Sequence, residues 1–146
     1  MEDAVRAITD LVFTYAELFD AGDFDGFGRL FEHGTFRTAG VTNSEFRGSE
    51  AVTKLIRSSV LLYDGIPSTK HAISNVIVHV DGDSADARAY FTLMQALPDF
   101  PLQTIMAGRY HDRFEKVDGS WRYTDHEISL DLIGDLSKHI GIPLPD

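Results

Sequence analysis

The sequence predicts a single α+β domain, in which three N-terminal helices pack on an antiparallel sheet. Before Pro67 the apolar residues recur every three or four positions, the period of amphipathic helices. After Pro67 they alternate with polar residues, the period of strands. Helices followed by consecutive strands indicate α+β rather than a parallel nucleotide-binding sheet. A length of 146 residues is near the commonest domain size, so we expect one domain over residues 1–146.

Three helices are predicted from apolar stripes and from residues typical of helix ends. The first begins near Ala4 and stops at Gly22, a residue that tolerates the left-handed turn after a helix. Asp23 is an N-cap candidate for a short second helix. The third helix is expected to run from Ser49, another N-cap candidate, to about Tyr63.

The remaining elements are one short strand before the third helix and four longer strands after it. The predicted strands cover residues 35–38, 70–80, 84–94, 104–117 and 120–130. Asp81-Gly82 and Asp118-Gly119 stand between alternating runs, and Asp-Gly is a strong hairpin signal. The third connection, residues 96–101, is predicted to be a looser loop.

Composition and charge exclude several classes of function. A formal net charge of −10 repels phosphates and anionic lipid, so we expect neither a nucleic-acid nor a membrane partner. The absence of cysteine removes disulfides, thiolate nucleophiles and zinc–thiolate sites. The acidic N-terminus does not resemble a signal peptide, so a cytoplasmic location is expected. The six histidines show no metal-ligand spacing, and we predict no metal and no cofactor.

Polar residues within apolar patterns are the candidate functional residues. Asp20 continues the apolar stripe of the first helix at its C-terminal end, where the helix dipole disfavours a carboxylate unless a partner compensates. His71 and Asn75 share one face of the strand at residues 70–80 with isoleucines. Alternation does not decide whether that face lines a cavity or contacts solvent. His126 in the last strand is a further candidate for an inward polar group.

Six segments occur along the chain in an order found in a known family. They are residues 15–25, 46–48, 70–75, 89–91, 107–114 and 119–122. Together they resemble the SnoaL-like branch of the nuclear-transport-factor-2-like superfamily, which includes scytalone dehydratase, a dehydrochlorinase and steroid isomerases. The resemblance implies a cone-shaped fold whose helices close one end of a curved sheet over a deep pocket. It also implies a homodimer formed through the sheet.

The resemblance also implies a catalytic pair. In the dehydratase and the dehydrochlorinase, an aspartate at the end of the first helix pairs with a histidine early in the long sheet. Those positions match Asp20 and His71, so the resemblance implies that both side chains point inward, with His71 as general base. The candidate substrate-binding residues are Tyr15, Asn75, Tyr110 and His126.

These observations predict a cofactor-independent lyase or isomerase acting on a small hydrophobic, cyclic substrate. Its first step is proton abstraction by His71, oriented by Asp20. One alternative is a non-catalytic ligand-binding or assembly module on the same fold, which an exposed His71 without a carboxylate contact would favour. Another is a polyketide-type cyclase, in which an aspartate or histidine alone activates a ring-closing carbon.

Overall fold

The computed structural model describes residues 2–141, and within them three helices cover an open, curved six-stranded sheet. The helices are α1 (Glu2–Asp20), α2 (Phe24–Arg29) and α3 (Ser49–Ser59). The strands are β1 (Thr35–Thr38), β2 (Phe46–Arg47), β3 (Thr69–Asp81), β4 (Ser84–Leu97), β5 (Phe100–Val117) and β6 (Ser120–Ile133). The predicted α+β class is therefore confirmed.

A glycine-capped turn ends α1 and fixes the position of Asp20 as its last residue. Gly22 has a φ of 75°, and the N–H groups of Gly22 and Asp23 donate to the carbonyl oxygens of Phe19 and Leu18 at 3.0 Å. This pattern is a Schellman motif, which satisfies carbonyl groups at the helix end. The Asp23 carboxylate then accepts a hydrogen bond from the first turn of α2 at 2.9 Å, as an N-cap does. Both predicted signals are confirmed.

α3 differs from its prediction at both ends. Ser49 is the first helical residue rather than the N-cap, since Gly48 occupies the cap position with a φ of 91° and makes no side-chain cap hydrogen bond. The helix ends before the predicted Tyr63 because Val60 is already extended and forms a β-bridge with Ile140. Contact with a distant segment thus shortens the helix.

The strands are ordered β2-β1-β6-β5-β4-β3, and every neighbouring pair is antiparallel except β1 with β6, which is parallel. Asp118 and Gly119 both have positive φ, 52° and 82°, as the predicted tight hairpin requires. The connection between β4 and β5 is tighter than the predicted loop, because only Pro98 and Asp99 separate the strands.

A β-bulge in β3 exchanges the faces of that strand. The pairing with β4 shifts register between Ser74 and Ile77, and Asn75 has a φ of 39°. Before the bulge His71 lies on the inward face, whereas after it Val76 and every second residue onward do. The extra residue interrupts the alternation. Asn75 is consequently exposed, which corrects the prediction that it shares an inward face with His71.

The core fills the space between the helices and the inner face of the sheet. Phe24, Phe27 and Phe31 are fully buried there, and α1 packs against β3. None of the helices within residues 2–141 is long and apolar enough to cross a membrane.

After β6 the chain returns to the end of α3 through residues 134–141, here called the C-terminal segment. The Leu61 N–H donates to the His139 carbonyl oxygen at 2.9 Å, and the Gly141 N–H donates to the Ser59 carbonyl oxygen at 2.7 Å. The segment is thereby fixed against the helical side of the fold.

Candidate active site

Asp20 and His71 form a hydrogen-bonded pair where the end of α1 meets the start of β3. Asp20 Oδ1 lies 2.8 Å from His71 Nδ1 and also accepts a hydrogen bond from Thr69 Oγ1 at 2.8 Å. Asp20 Oδ2 accepts a hydrogen bond from the His71 backbone N–H at 2.8 Å. The Asp20 and His71 side chains are 14% and 6% exposed. These bonds compensate the carboxylate for its unfavourable place at a helix C-terminus.

The electrostatic surroundings keep the Asp20 carboxylate ionised. Burial by itself raises the pKa of Asp20, but the hydrogen bonds and charge of His71, together with the Thr69 hydroxyl, outweigh it and lower the pKa below its usual value. An ionised carboxylate at Nδ1 favours the tautomer of His71 that carries its proton there. Nε2 is then left as the nitrogen that can accept a proton.

An apolar cavity of about 210 Å³ adjoins this pair. Aromatic and aliphatic side chains from α1, α3 and the sheet form most of its wall. The ionisable side chains that line it, among the described residues, are those of Tyr15, His71 and His139. The volume is below the roughly 300 Å³ at which pockets for drug-sized ligands begin, so the cavity suits a small ligand.

A second aspartate–histidine pair lies deeper in the core, between Asp112 of β5 and His126 of β6. Asp112 Oδ1 is 2.6 Å from His126 Nδ1, and each side chain is 1% exposed. Burial raises the pKa of Asp112, although the charge and hydrogen bond of His126 oppose the shift. Within residues 2–141, His126 Nε2 has no hydrogen-bond partner. The pair is therefore part of a polar cluster that is incompletely satisfied.

Tyr15 connects this buried cluster to the cavity. Its ring centroid lies 4.7 Å from that of His126, 5.3 Å from that of Tyr110 and 6.1 Å from that of His71. Burial raises the pKa values of Tyr15 and Tyr110 well above the usual phenol value. Both phenols consequently stay protonated and can act as hydrogen-bond donors.

The structure brings together five of the six residues proposed from the sequence. The Asp20–His71 pair and Tyr15 are at the cavity, whereas Tyr110 and His126 contact Tyr15 from behind without lining the cavity. Asn75 is the exception, because the β-bulge places it on the solvent side of β3. Asn75 therefore does not line the cavity.

Sequence reasoning missed His139, which the C-terminal segment brings to the cavity. The residue is 2% exposed, and its ring centroid lies 5.8 Å from that of Phe19. The segment carries neither a helical nor a strand period, so its place in the fold was not predictable from periodicity. One signal was present: Leu136 and Ile140 flank the histidine with a spacing of four, and both pack against the core.

The helices, the open curved sheet and the apolar cavity between them define a protein of the nuclear-transport-factor-2-like class. The sequence pattern that defines the SnoaL-like domain family matches residues 3–126 of this chain. The chain therefore belongs to the SnoaL-like domain family, as the sequence motifs implied. No curated protein matches the chain significantly.

Solved structures from Novosphingobium aromaticivorans show the same fold. A scytalone dehydratase-like protein shares 24% identity over 92% of this chain and 91% of its own, with a TM-score of 0.72. A protein similar to the β subunit of aromatic-ring-hydroxylating dioxygenases shares 20% identity over 90% and 92%, with a TM-score of 0.72. A nuclear-transport-factor-2-like protein with a cystatin-like fold shares 22% sequence identity over 86% of this chain and 80% of its own, with a TM-score of 0.71. At these identities the likeness shows the fold alone.

Proposed function

We propose that this protein is a cofactor-independent lyase or isomerase that removes a proton from a small hydrophobic, cyclic substrate. The observation that carries the proposal is the 2.8 Å contact between Asp20 and His71 beside an apolar cavity. A general base is nominated first by geometry, and a histidine held by a carboxylate is suited to accept a proton near neutral pH. A non-catalytic module needs no such pair.

In the proposed reaction, His71 Nε2 accepts a proton from a carbon next to the substrate carbonyl. The C–H electron pair moves into a new carbon–carbon double bond, and the carbonyl becomes an enolate. Asp20 stabilises the imidazolium that forms, since its carboxylate faces the Nδ1–H. In a lyase, the enolate expels a hydroxyl from the next carbon, which leaves as water with the proton from His71. In an isomerase, His71 returns the proton to a different carbon.

A positioned base accelerates such a reaction by about 10²–10⁴-fold, so the cavity must also orient the substrate and stabilise the enolate. Tyr15 is one candidate donor to the substrate oxygen, because its protonated phenol lines the cavity. The wall of the cavity is mostly apolar, and such surroundings strengthen any hydrogen bond to the developing negative charge.

The proposal is tested by hydrogen exchange on a panel of small cyclic ketones in D₂O, beginning with β-tetralone. Loss of the α-hydrogen signal in proton NMR measures proton abstraction even when no product forms. We expect the wild-type protein to accelerate the exchange and His71→Gln to lose about 100-fold or more of that rate. The matched control His79→Gln alters an exposed histidine of the same strand and should exchange at the wild-type rate.

The outcomes separate the rival functions. No acceleration with any ketone would reject the proposed reaction and favour a binding module, whereas equal accelerated rates for wild type and His71→Gln would reject His71 as the base. Exchange that survives His71→Ala but is lost in Asp20→Ala would instead indicate a cyclase-type mechanism, in which the carboxylate acts alone.

We also propose that the protein forms a homodimer through the outer face of its sheet. Tyr90 and Leu132 are 55% and 69% exposed and line the same shallow surface groove on that face. Adjacent exposed apolar side chains are typical of interaction surfaces. Light scattering after size-exclusion chromatography should give twice the chain mass, and the monomer mass would contradict the proposal.

A further inference from the structure

The C-terminal segment places a second histidine, His139, in the same cavity as His71. Its backbone is fixed, because its carbonyl oxygen accepts a hydrogen bond from Leu61 and the segment is hydrogen-bonded again at Gly141. Its side chain is almost completely buried at the cavity wall. His139 is therefore held in place without any bound ligand.

The surroundings of His139 keep its imidazole neutral. Burial lowers the pKa of His139 to about 4, the charge of His71 acts in the same direction, and the charge of Asp20 opposes both. A neutral imidazole carries one N–H donor and one acceptor nitrogen. It can therefore donate a hydrogen bond to an oxygen without carrying a charge of its own.

One ring nitrogen of this histidine lacks a partner. His139 Nδ1 is buried and makes no hydrogen bond to any residue that the structure describes. Buried polar atoms are nearly always paired, so an unpaired one in a side chain that lines a cavity calls for an explanation. A ligand that brings a polar atom into an otherwise apolar space would supply the missing partner.

We propose that His139 is a substrate-binding residue, whose neutral imidazole donates a hydrogen bond to the carbonyl oxygen of a small apolar ketone while His71 acts on the adjacent carbon. The assignment deepens the proposed function and rests on it. It divides the reaction between two histidines, one paired with a carboxylate and one unpaired, so that each has a different role. The C-terminal segment then forms part of the site.

The two roles are compatible during the reaction. When His71 becomes an imidazolium, its positive charge disfavours protonation of His139. His139 thus remains a neutral donor while negative charge develops on the substrate oxygen. A neutral imidazole that polarises a carbonyl in this way is an established form of electrophilic catalysis.

The experiment compares the binding of β-tetralone with that of tetralin, which has the same skeleton without the oxygen. Dissociation constants are measured by NMR titration for wild type, for His139→Phe and for the control His111→Phe, which alters an exposed histidine. We expect wild type and the control to bind the ketone about three- to tenfold more tightly than tetralin, the worth of one hydrogen bond. His139→Phe should lose this preference while still binding tetralin.

A His139→Phe protein that keeps the preference for the ketone would overturn the inference. If the variant binds neither compound, the ¹⁵N chemical shifts of His139 in wild type decide the question. A shift that changes with β-tetralone but not with tetralin supports the hydrogen bond, and equal responses overturn it.

The outcomes also distinguish this inference from the proposed function. In one outcome, the wild-type protein exchanges no α-hydrogen, but its preference for the ketone is lost in His139→Phe. This result supports the binding role of His139 and rejects the proposed reaction. In the opposite outcome, α-hydrogen exchange depends on His71, but His139→Phe keeps the preference for the ketone. This result supports the proposed reaction and rejects the binding role of His139.

Discussion

Replacing Asp20 by asparagine tests the central pair with almost no change in side-chain shape. Asp20 Oδ1 faces Thr69 Oγ1 and His71 Nδ1, whereas Oδ2 faces the His71 backbone N–H. An amide has only one oxygen. If its NH₂ group faces the backbone N–H, two donors meet and a hydrogen bond is lost. If it faces Nδ1 instead, it favours the tautomer that protonates Nε2 and so removes the base.

The expected loss of stability follows from the bonds that the carboxylate accepts. A hydrogen bond to a charged group contributes about 1.5–3 kcal/mol, and Asp20 retains some solvent contact, so we expect about 1.5 kcal/mol at neutral pH. Urea denaturation measures this difference in the free energy of unfolding. The control is Asp10→Asn, the same substitution at an exposed position of α1, which should change stability by less than about 0.5 kcal/mol.

The loss should depend on pH in a defined direction. The pKa of Asp20 is lower in the folded protein than in the unfolded chain, where it is about 3.9. Its contribution is therefore fully present above the unfolded pKa and is lost as the pH falls through the folded pKa. Asparagine does not titrate, so the difference between wild type and variant should shrink in acid. A difference that grows in acid would refute the assignment of an ionised carboxylate.

The activity assay is α-hydrogen exchange of β-tetralone. We expect Asp20→Asn to reduce the rate by about 100-fold or more, because the variant loses either the orientation of His71 or its basic nitrogen. ¹⁵N shifts of His71 report the tautomer directly. A variant that exchanges within twofold of wild type, with an unchanged His71 tautomer, would show that the pair does not work as reasoned.

Three further predictions concern other parts of the fold. His139 should remain neutral in ¹⁵N NMR titrations until the pH approaches about 4, and a midpoint near the ordinary histidine value would contradict its burial in the cavity. Gly108→Ala should destabilise the protein by about 1–3 kcal/mol in urea denaturation, because the added Cβ would overlap the carbonyl oxygen of Ser129. An unchanged midpoint would mean that the strands adjust freely. Asp112→Ala should cost about 1–3 kcal/mol, since it leaves His126 Nδ1 buried without its hydrogen-bond partner; calorimetry showing an unchanged stability would argue against a contribution of this hydrogen bond.

Features that depend on neighbouring residues were predictable from the sequence. Gly22 ends α1, Asp23 caps α2, and Asp118-Gly119 forms a tight hairpin, as expected. Each of these signals acts within a few residues, through allowed φ values or a local hydrogen bond. The position of Asp20 at the end of α1 follows from the same local rules.

Register along the strands was only partly predictable. In β5, Tyr110 and Asp112 are two positions apart and both are buried, as alternation requires. In β6, Tyr123 and His126 are both buried although they differ in parity, because the pairing shifts between Arg113 and Phe114. Asn75 is exposed for the same reason, since the pairing of β3 with β4 shifts between Ser74 and Ile77. A bulge adds one residue to one strand, and the alternation of apolar and polar residues in the sequence does not indicate where the bulge occurs.

The sequence by itself determined the order of the three helices and of five of the six strands, the turns at Gly22 and Asp118-Gly119, and the residues that could form a catalytic pair. Family resemblance added the expectation that Asp20 and His71 meet. Only the tertiary structure decided that their side chains lie 2.8 Å apart, that Asn75 faces solvent, and that His139 reaches the same cavity. The physical reason is range: helix caps and turns depend on bonds between near neighbours, whereas a cavity is formed by segments that are distant in the chain and meet only when the core packs.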